Sequence, residues 1–292
     1  MKQTATKSRS KKPRVAFTHV DRVIFPEKGY TKGDVLAYYE KIAPKLLLHL
    51  RDRPVTLQRL PEGLSGPKAP NFWQKNTPDY YPAWIPRVNL LTERGQDVHY
   101  SLVNDLDALL YLVNQGTLTF HVWFSRVKNL DRPDFVLFDL DPSEATFREA
   151  VTVARRLKEI FDELKVSSFP KTSGKSGLHV LTPWKRKGGY DEARAWAMEI
   201  AQRVVADLPE IATVERSKSA RKGRLYLDVM QNARGHHAVP PYVIRATPAA
   251  TVSTPLEWKE VNARLDPKRF DIKSALARFA RQRKDPLAAL AR

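Results

Sequence analysis

Apolar residues along this chain follow two rhythms, one near-continuous in short runs and one recurring every three to four positions. The stretch Asp134-Phe135-Val136-Leu137-Phe138-Asp139-Leu140-Asp141-Pro142 is of the first kind. Its length and its branched and aromatic content predict a buried strand that ends in two carboxylates. Downstream, Phe147, Val151, Ala154, Leu157, Ile160, Phe161 and Leu164 keep helical spacing, which predicts an amphipathic helix over 145–164. Strands are expected at 167–172 and 178–182, and a helix at 190–208 with Ala193, Trp196, Ala197, Ile200, Val204 and Val205 on its apolar face. A short strand at 212–215 and an apolar one at 225–229, holding Asp228, complete this half.

Upstream, Thr31 is placed to cap a helix bearing Val35, Leu36, Tyr38, Tyr39 and Ile42, which Pro44 is expected to bend or interrupt. A strand at 53–59 leads into a Pro/Gly-rich loop at 61–70. Then come a strand near 98–103, a helix at 105–115 closed by Gly116, and an alternating strand at 117–123 that carries His121. No internal repeat and no linker between compact halves is visible. The expected organisation is a basic flexible arm at 1–14, one folded domain at 15–265, and a basic helical tail at 266–292.

With 292 residues, 42% of them hydrophobic, the chain can bury a full core. No apolar run approaches the ~20 residues that span a bilayer. The expected location is therefore the cytoplasm, beside the nucleoid. The absence of cysteine removes disulfides, thiolate zinc sites and thiol nucleophiles, leaving carboxylates and histidines as metal ligands. Fifty Lys and Arg against 32 Asp and Glu give a formal charge of +18, which makes a polyanion the expected partner. Nucleic acid fits better than a membrane surface, because no helix joins a strongly apolar face to a polybasic flank.

Candidate chemistry sits at three places. Asp139 and Asp141, two apart on a strand, project from one face and repel, which suits a hard divalent cation or a solvated acidic turn. The segment Lys171-Thr172-Ser173-Gly174-Lys175-Ser176-Gly177-Leu178-His179 offers amides, hydroxyls and a cation to a phosphate, or is a plain hairpin turn; its glycine spacing is not that of a P-loop. Phe72-Trp73 beside Lys75 either stack on bases or cover the core beneath a loop. Asp228 among aliphatics needs a partner, which a third metal position or an arginine would supply.

In that order, the Asp139/Asp141 pair, the turn from Ser173 to His179 and Asp228 resemble the polymerase domain of bacterial DNA ligase D, in the archaeo-eukaryotic primase superfamily. The resemblance runs from about 18 to 258 and includes Arg22-Val23-Ile24-Phe25-Pro26, Thr31-Lys32-Gly33-Asp34, Phe72-Trp73-Gln74-Lys75 and Val252-Ser253-Thr254-Pro255-Leu256. It implies an α+β, primase-like fold with mixed and antiparallel sheets flanked by helices around a catalytic cleft. It also implies a template-directed nucleotidyltransferase that adds NTPs, preferably ribonucleotides, or dNTPs to primer ends at gaps and double-strand breaks in non-homologous end joining. Asp139, Asp141 and Asp228 would hold two divalent ions, Mn²⁺ or Mg²⁺. Ser173, Lys175, Ser176, Gly177, His179 and Arg245 would bind the triphosphate, with His121 close to the incoming nucleotide. Arg22 and Lys32 would take a 5′-phosphate and Phe72 and Trp73 the template, while Arg59, Lys75, Lys218 and Arg221 contact nucleic acid. Ku and a separate DNA ligase are the implied partners. The chain departs from the family pattern in the order of Lys175 and Ser176, which leaves open the one that reaches phosphate, and in Arg22 and Trp73, which stand for the usual Lys and Phe.

Two rivals have sequence handles. Phe138-Asp139-Leu140-Asp141 also resembles the first motif of haloacid-dehalogenase-type phosphatases, but no Gly-Asp pair follows Asp141. A non-catalytic basic DNA-end binding module explains the charge but gives no reason for three strand carboxylates.

Overall fold

A computed structural model describes residues 14–64, 70–91, 95–282 and 284–291. The arm expected at 1–14 lies outside them except for Arg14, as do 65–69 of the Pro/Gly-rich loop. The first half forms β1 (Val23–Phe25), β2 (Tyr30–Thr31), α1 (Lys32–Leu50), β3 (Val55–Arg59), β4 (Phe72–Gln74), β5 (Arg87–Leu91), β6 (Asp97–Ser101), α2 (Leu106–Asn114) and β7 (Thr117–Trp123). Then follow β8 (Phe135–Asp141), α3 (Phe147–Glu163), β9 (Phe169–Thr172), β10 (Leu178–Pro183), α4 (Tyr190–Asp207), β11 (Ala212–Thr213), α5 (Lys218–Arg221), β12 (Leu225–Asp228), β13 (His237–Ala238) and α6 (Ile272–Arg281).

The larger sheet has the strand order β11-β12-β8-β10-β9, antiparallel throughout except for β11-β12. Alternation along β8 assigns its two faces. Val136, Phe138 and Leu140 lie under α3 and α4, where Phe138 meets Phe161 edge-on at 5.3 Å and Trp196 at 6.1 Å. Phe135 and Leu137 point the other way and are covered by Phe124, Tyr190, Leu287 and Leu290. Beyond that cover the same face emerges with Asp139 and Asp141.

The second sheet, β13-β7-β3-β4, buries Val55, Leu57, Leu118, Phe120 and Val122 against α1 and α2. Its opposite face carries Thr56, Gln58, Trp73, Thr119 and His121, paired as Thr56↔His121, Gln58↔Thr119 and Gln58↔Trp73. The α+β architecture with largely antiparallel sheets is as the sequence predicted.

Pro44 does not interrupt α1, which runs unbroken from Lys32 to Leu50. Both Pro44 and Glu40, whose carbonyl loses its amide partner to the proline, are exposed, so water can satisfy that carbonyl while Ile42, Ala43 and Leu46 stay packed. At the other end of the chain, Ile272, Ala275 and Phe279 of α6 join the core of the second sheet. Asp285 takes contacts from His49 Nε2 at 2.7 Å and from the Tyr242 hydroxyl at 2.5 Å.

Candidate active site

Cross-strand register builds the floor of the site. Asp228 on β12 stands opposite Asp139 on β8, Asp139 opposite His179 on β10, and His179 opposite Lys171 on β9. Directly opposed residues in antiparallel strands share a face. Two acids, a histidine and a lysine therefore form one row across the sheet, with Asp141 two positions on, opposite Tyr226.

The three carboxylates are held differently. Asp141 accepts from the Ser143 amide at 3.1 Å and the Ser143 hydroxyl at 3.3 Å. Asp228 accepts from the Tyr226 hydroxyl at 3.2 Å, the Met230 amide at 2.8 Å and Gln231 Nε2 at 3.2 Å. Asp139 accepts no hydrogen bond from the described residues; His179 Nε2 stands 3.4 Å away. Burial, with repulsion from Asp228 and Asp141, pushes the Asp139 carboxyl up to about 7. Burial and the cations Lys171 and Arg245 hold His179 well below the usual imidazole range, so it faces Asp139 as a neutral ring rather than an ion-pair partner.

Near the acids lie three basic side chains. Arg245 is buried, lowered to about 10 by burial while Asp139 opposes the shift, and its Nε has no partner among the described residues. Lys171 is fully buried, donating to Ser253 Oγ at 2.7 Å, and burial and Arg245 keep its amine well below the usual lysine range. Lys175 is exposed at the turn, lowered by burial and by Arg245. The turn is fixed by Ser173, whose oxygen accepts from the amides of Lys175 at 3.2 Å and Gly177 at 3.1 Å. Both glycines are needed for close approach. A Cβ on Gly177 would lie 2.1 Å from the Leu140 carbonyl oxygen, and one on Gly174, at φ +75°, 2.5 Å from Arg245 Cγ.

An open cleft of about 390 Å³ has Trp73, His121, Asp139, Asp141, Ser173, Lys175, Ser176, Gly177, His179, Gln231, His237 and Arg245 on its walls, while Asp228 and Lys171 lie outside that lining. The nucleic-acid residues expected from the sequence divide. Trp73 joins the cleft, edge-on to His121 at 4.8 Å. Of the two readings open for Phe72 and Trp73, cover for the core beneath a loop does not hold, since both lie on strand β4 and are 43% and 50% exposed. Arg59 is committed internally, donating to the Gln115 carbonyl and Gln74 with its guanidinium 5.2 Å from the Phe72 ring, so it buttresses that ring. Arg22 and Lys32 meet at the start of α1. Arg22 donates to the Pro61 carbonyl and Lys32 to the Thr18 carbonyl, and burial with the neighbouring Arg22 charge lowers the Lys32 amine. Lys75 is exposed near His237, and Lys218 is exposed on α5. Arg221 packs 3.9 Å over the Tyr226 ring and donates to Ser143 Oγ, tying the supports of Asp141 and Asp228 together.

Lys171, Tyr226, Gln231 and His237 were not among the expected site residues. Only Lys171 had a signal, its place at the head of the 171–179 segment; Tyr226 and His237 enter through pairing between distant strands, and Gln231 through the turn that follows β12.

The donor set suits a hard cation. It offers carboxylate oxygens around a half-buried acid to which none of the described residues donates, in a chain without thiolates. Among the described residues no three His, Asp or Glu side chains are already drawn together as a metal cage. The outer two carboxylates are turned toward protein donors but keep lone pairs free.

Residues 31–287 match the family described as LigD, primase-polymerase domain. The chain belongs to that family. It is 35% identical over 272 residues to the Bifunctional non-homologous end joining protein LigD of Bacillus subtilis, covering 92% of this chain and 43% of the relative. It is 30% identical over 251 residues to the Multifunctional non-homologous end joining protein LigD of Mycolicibacterium smegmatis, covering 85% and 32%. The chain thus spans less than half the length of these LigD relatives. Among solved structures, the polymerase domain from Mycobacterium tuberculosis ligase D in complex with DNA superposes with a TM-score of 0.88 at 28% identity, covering 96% of this chain and 99% of that one. No described helix is long and apolar enough to cross a membrane.

Proposed function

We propose that this chain is a template-directed nucleotidyltransferase that adds nucleoside triphosphates, ribonucleotides in preference, to primer 3′ ends at gaps and double-strand breaks during non-homologous end joining. The observation that carries it is the shared row of Asp228 and Asp139, with Asp141 beside them, and the one cleft that Asp139 and Asp141 line together with Arg245 and Lys175. Carboxylates and cations gathered at one cleft match a triphosphate carried with divalent ions, and neither set alone would.

Asp139, Asp141 and Asp228 would hold two divalent ions, Mn²⁺ or Mg²⁺. The chemistry such ions supply when bound is activation of the primer 3′-hydroxyl and offset of charge on the departing pyrophosphate. The protein's own part is placement. Arg245 and Lys175 draw in the triphosphate, and the Ser173 hydroxyl, its oxygen already held by two amides, has a proton left to donate to it. Ser176 and Gly177 form the lip of the turn. Neutral His179, 3.4 Å from Asp139, leaves the charge of that carboxylate to the ions. Trp73 and Phe72, exposed and backed by His121 and Arg59, present faces on which template bases stack. Arg22 and Lys32, paired at the start of α1, suit a 5′-phosphate. Lys75, Lys218 and Arg221 add positive charge along the path of the strand. Ku and a separate ligase are the protein partners this role would use, and the nucleoid its place of action.

Primer extension on a gapped, 5′-phosphorylated duplex, with Mn²⁺ or Mg²⁺ and with NTPs or dNTPs, tests the reading. Addition that follows the template and is faster with NTPs is expected. Protein that binds the duplex but adds nothing under any of these conditions would be an end-binding module instead.

A further inference from the structure

The basic segment near the end of the chain takes no part in the function proposed above. Its helix α6 sinks Ile272, Ala275 and Phe279 into the core of the second sheet. By helical spacing Ser274, Ala277, Arg278 and Arg281 lie on the opposite face, and together with residues of 257–270 they line an open groove of about 690 Å³. That groove shares no residue with the catalytic cleft and exceeds its volume of about 390 Å³.

Its cations are of two kinds. Arg278 is committed: it donates to both Glu260 oxygens at 2.6 Å and to the Pro255 carbonyl at 3.1 Å, with its guanidinium 5.5 Å from the Phe270 ring. Lys259 pairs with Glu257 at 2.6 Å. These pairs occupy both acids of the lining. Arg264, Arg269 and Arg281 are exposed, and their side chains have no ion pair or hydrogen bond among the described residues. Three like charges gathered at one groove repel each other, and a bound anion relieves that repulsion.

The lining also selects the occupant. Its apolar residues are Leu265, Phe270 and Ala277, with Phe270 buried under Arg278, so it offers no pocket for the aromatic or aliphatic anchors of a protein partner. Attraction must then come from charge, which a phosphate backbone supplies whatever its sequence, and guanidinium forks match phosphate oxygens two bonds at a time. We infer that this groove is a second nucleic-acid contact, where Arg264, Arg269 and Arg281 hold the phosphate backbone of a duplex outside the catalytic cleft. The inference rests on the nucleic-acid part of the reading above and not on its chemistry. The groove is also tied to the catalytic turn, since Val252 donates to the Phe270 carbonyl at 2.7 Å and its own carbonyl accepts from Thr172 Oγ1 at 3.2 Å. A backbone held there is held at a set place relative to the site.

Fluorescence anisotropy of a labelled duplex, titrated with protein at several salt concentrations, tests this. R264A/R269A/R281A should make the slope of log affinity against log salt shallower by about 2–3 and weaken binding about tenfold or more near 0.1 M salt. R264K/R269K/R281K keeps the charges and should keep most of the slope. K128A/K185A/K187A removes equal charge from exposed lysines beyond the Phe135 end of β8, and its slope should stay within about 1 of wild type. In wild-type protein, the duplex should also slow amide hydrogen exchange over 262–281. An alanine variant that binds as wild type does, a lysine control that loses as much, or no added protection over 262–281 overturns the inference. An acidic protein as the true occupant would give the first and third of these results. Protein that shows the groove-dependent slope yet adds no nucleotide contradicts the polymerase reading and leaves the groove assignment standing.

Discussion

Across the cleft, the five-stranded sheet presents Asp228, Asp139, His179 and Lys171 in one row, whereas the four-stranded sheet presents Thr56, Gln58, His121 and Trp73. The first face is charged and sits on a strand covered behind by two amphipathic helices; the second is aromatic and neutral and ends in an exposed edge strand. Charged groups that must hold a fixed mutual distance need a stiff support, because a small misplacement weakens them steeply. Stacking surfaces tolerate sliding, since every base has a flat face to offer. A central strand under Asp139 and an exposed edge strand under Trp73 suit the two roles proposed for them.

Substitutions should separate the two faces. Asp139→Ala should lower nucleotide addition by at least about a thousandfold in primer extension while DNA affinity by fluorescence anisotropy holds; loss of both together would tie the acid to folding rather than chemistry. Phe138→Ala empties the space between Phe161 and Trp196 and should cost about 3–5 kcal/mol in urea unfolding. A change under ~1 kcal/mol there would mean the acid-bearing strand is not the stiff one. Trp73→Ala should weaken template binding by about 1–3 kcal/mol with little change in stability, and a large drop in unfolding free energy would contradict its exposed position.

Acidity offers a subtler comparison. Asp139 is raised to about 7 from its ordinary value near 3.9, so the fold favours its protonated form. Its contribution to stability is full below about pH 4 and is lost as the pH rises toward 7. Metal binding runs the opposite way, because it needs the carboxylate. Mn²⁺ affinity by calorimetry should fall below pH 7 by up to about tenfold per pH unit, whereas a profile flat from pH 5.5 to 8 would remove Asp139 from the metal site. DNA affinity at Trp73 should not share that dependence. The smallest effect is expected at Arg22→Ala, which should reduce the slope of log affinity against log salt by about 1 on 5′-phosphorylated ends and by nothing on unphosphorylated ones.

The same contrast governs what could be read in advance. The acid-bearing strand, its flanking helices and the 171–179 turn announce themselves through apolar runs, helical spacing and paired glycines, all local signals. In the second sheet β3 and β7 were legible as strands, but its edges, β4 and β13, have only three and two residues, and β5 has mixed polarity; none of these three shows a period. His237 gains its meaning from His121, 116 positions away, which pairing brings near, whereas Tyr226 and Gln231 stand two and three residues from Asp228 and carry no pattern that marks them as its donors. Composition could not say that Phe72 and Trp73 face water, because an aromatic pair beside a lysine reads alike on a core and on a rim.

Four neighbouring strands spaced at about 4.8 Å set the residues from Asp228 to Lys171 about 14 Å apart end to end. Backbone pairing thereby acts as a ruler with two carboxylates at one end and a buried amine at the other. Their separation is set by the ladder rather than by side-chain rotamers, so a substitution can change the charge at either end without changing the distance between them.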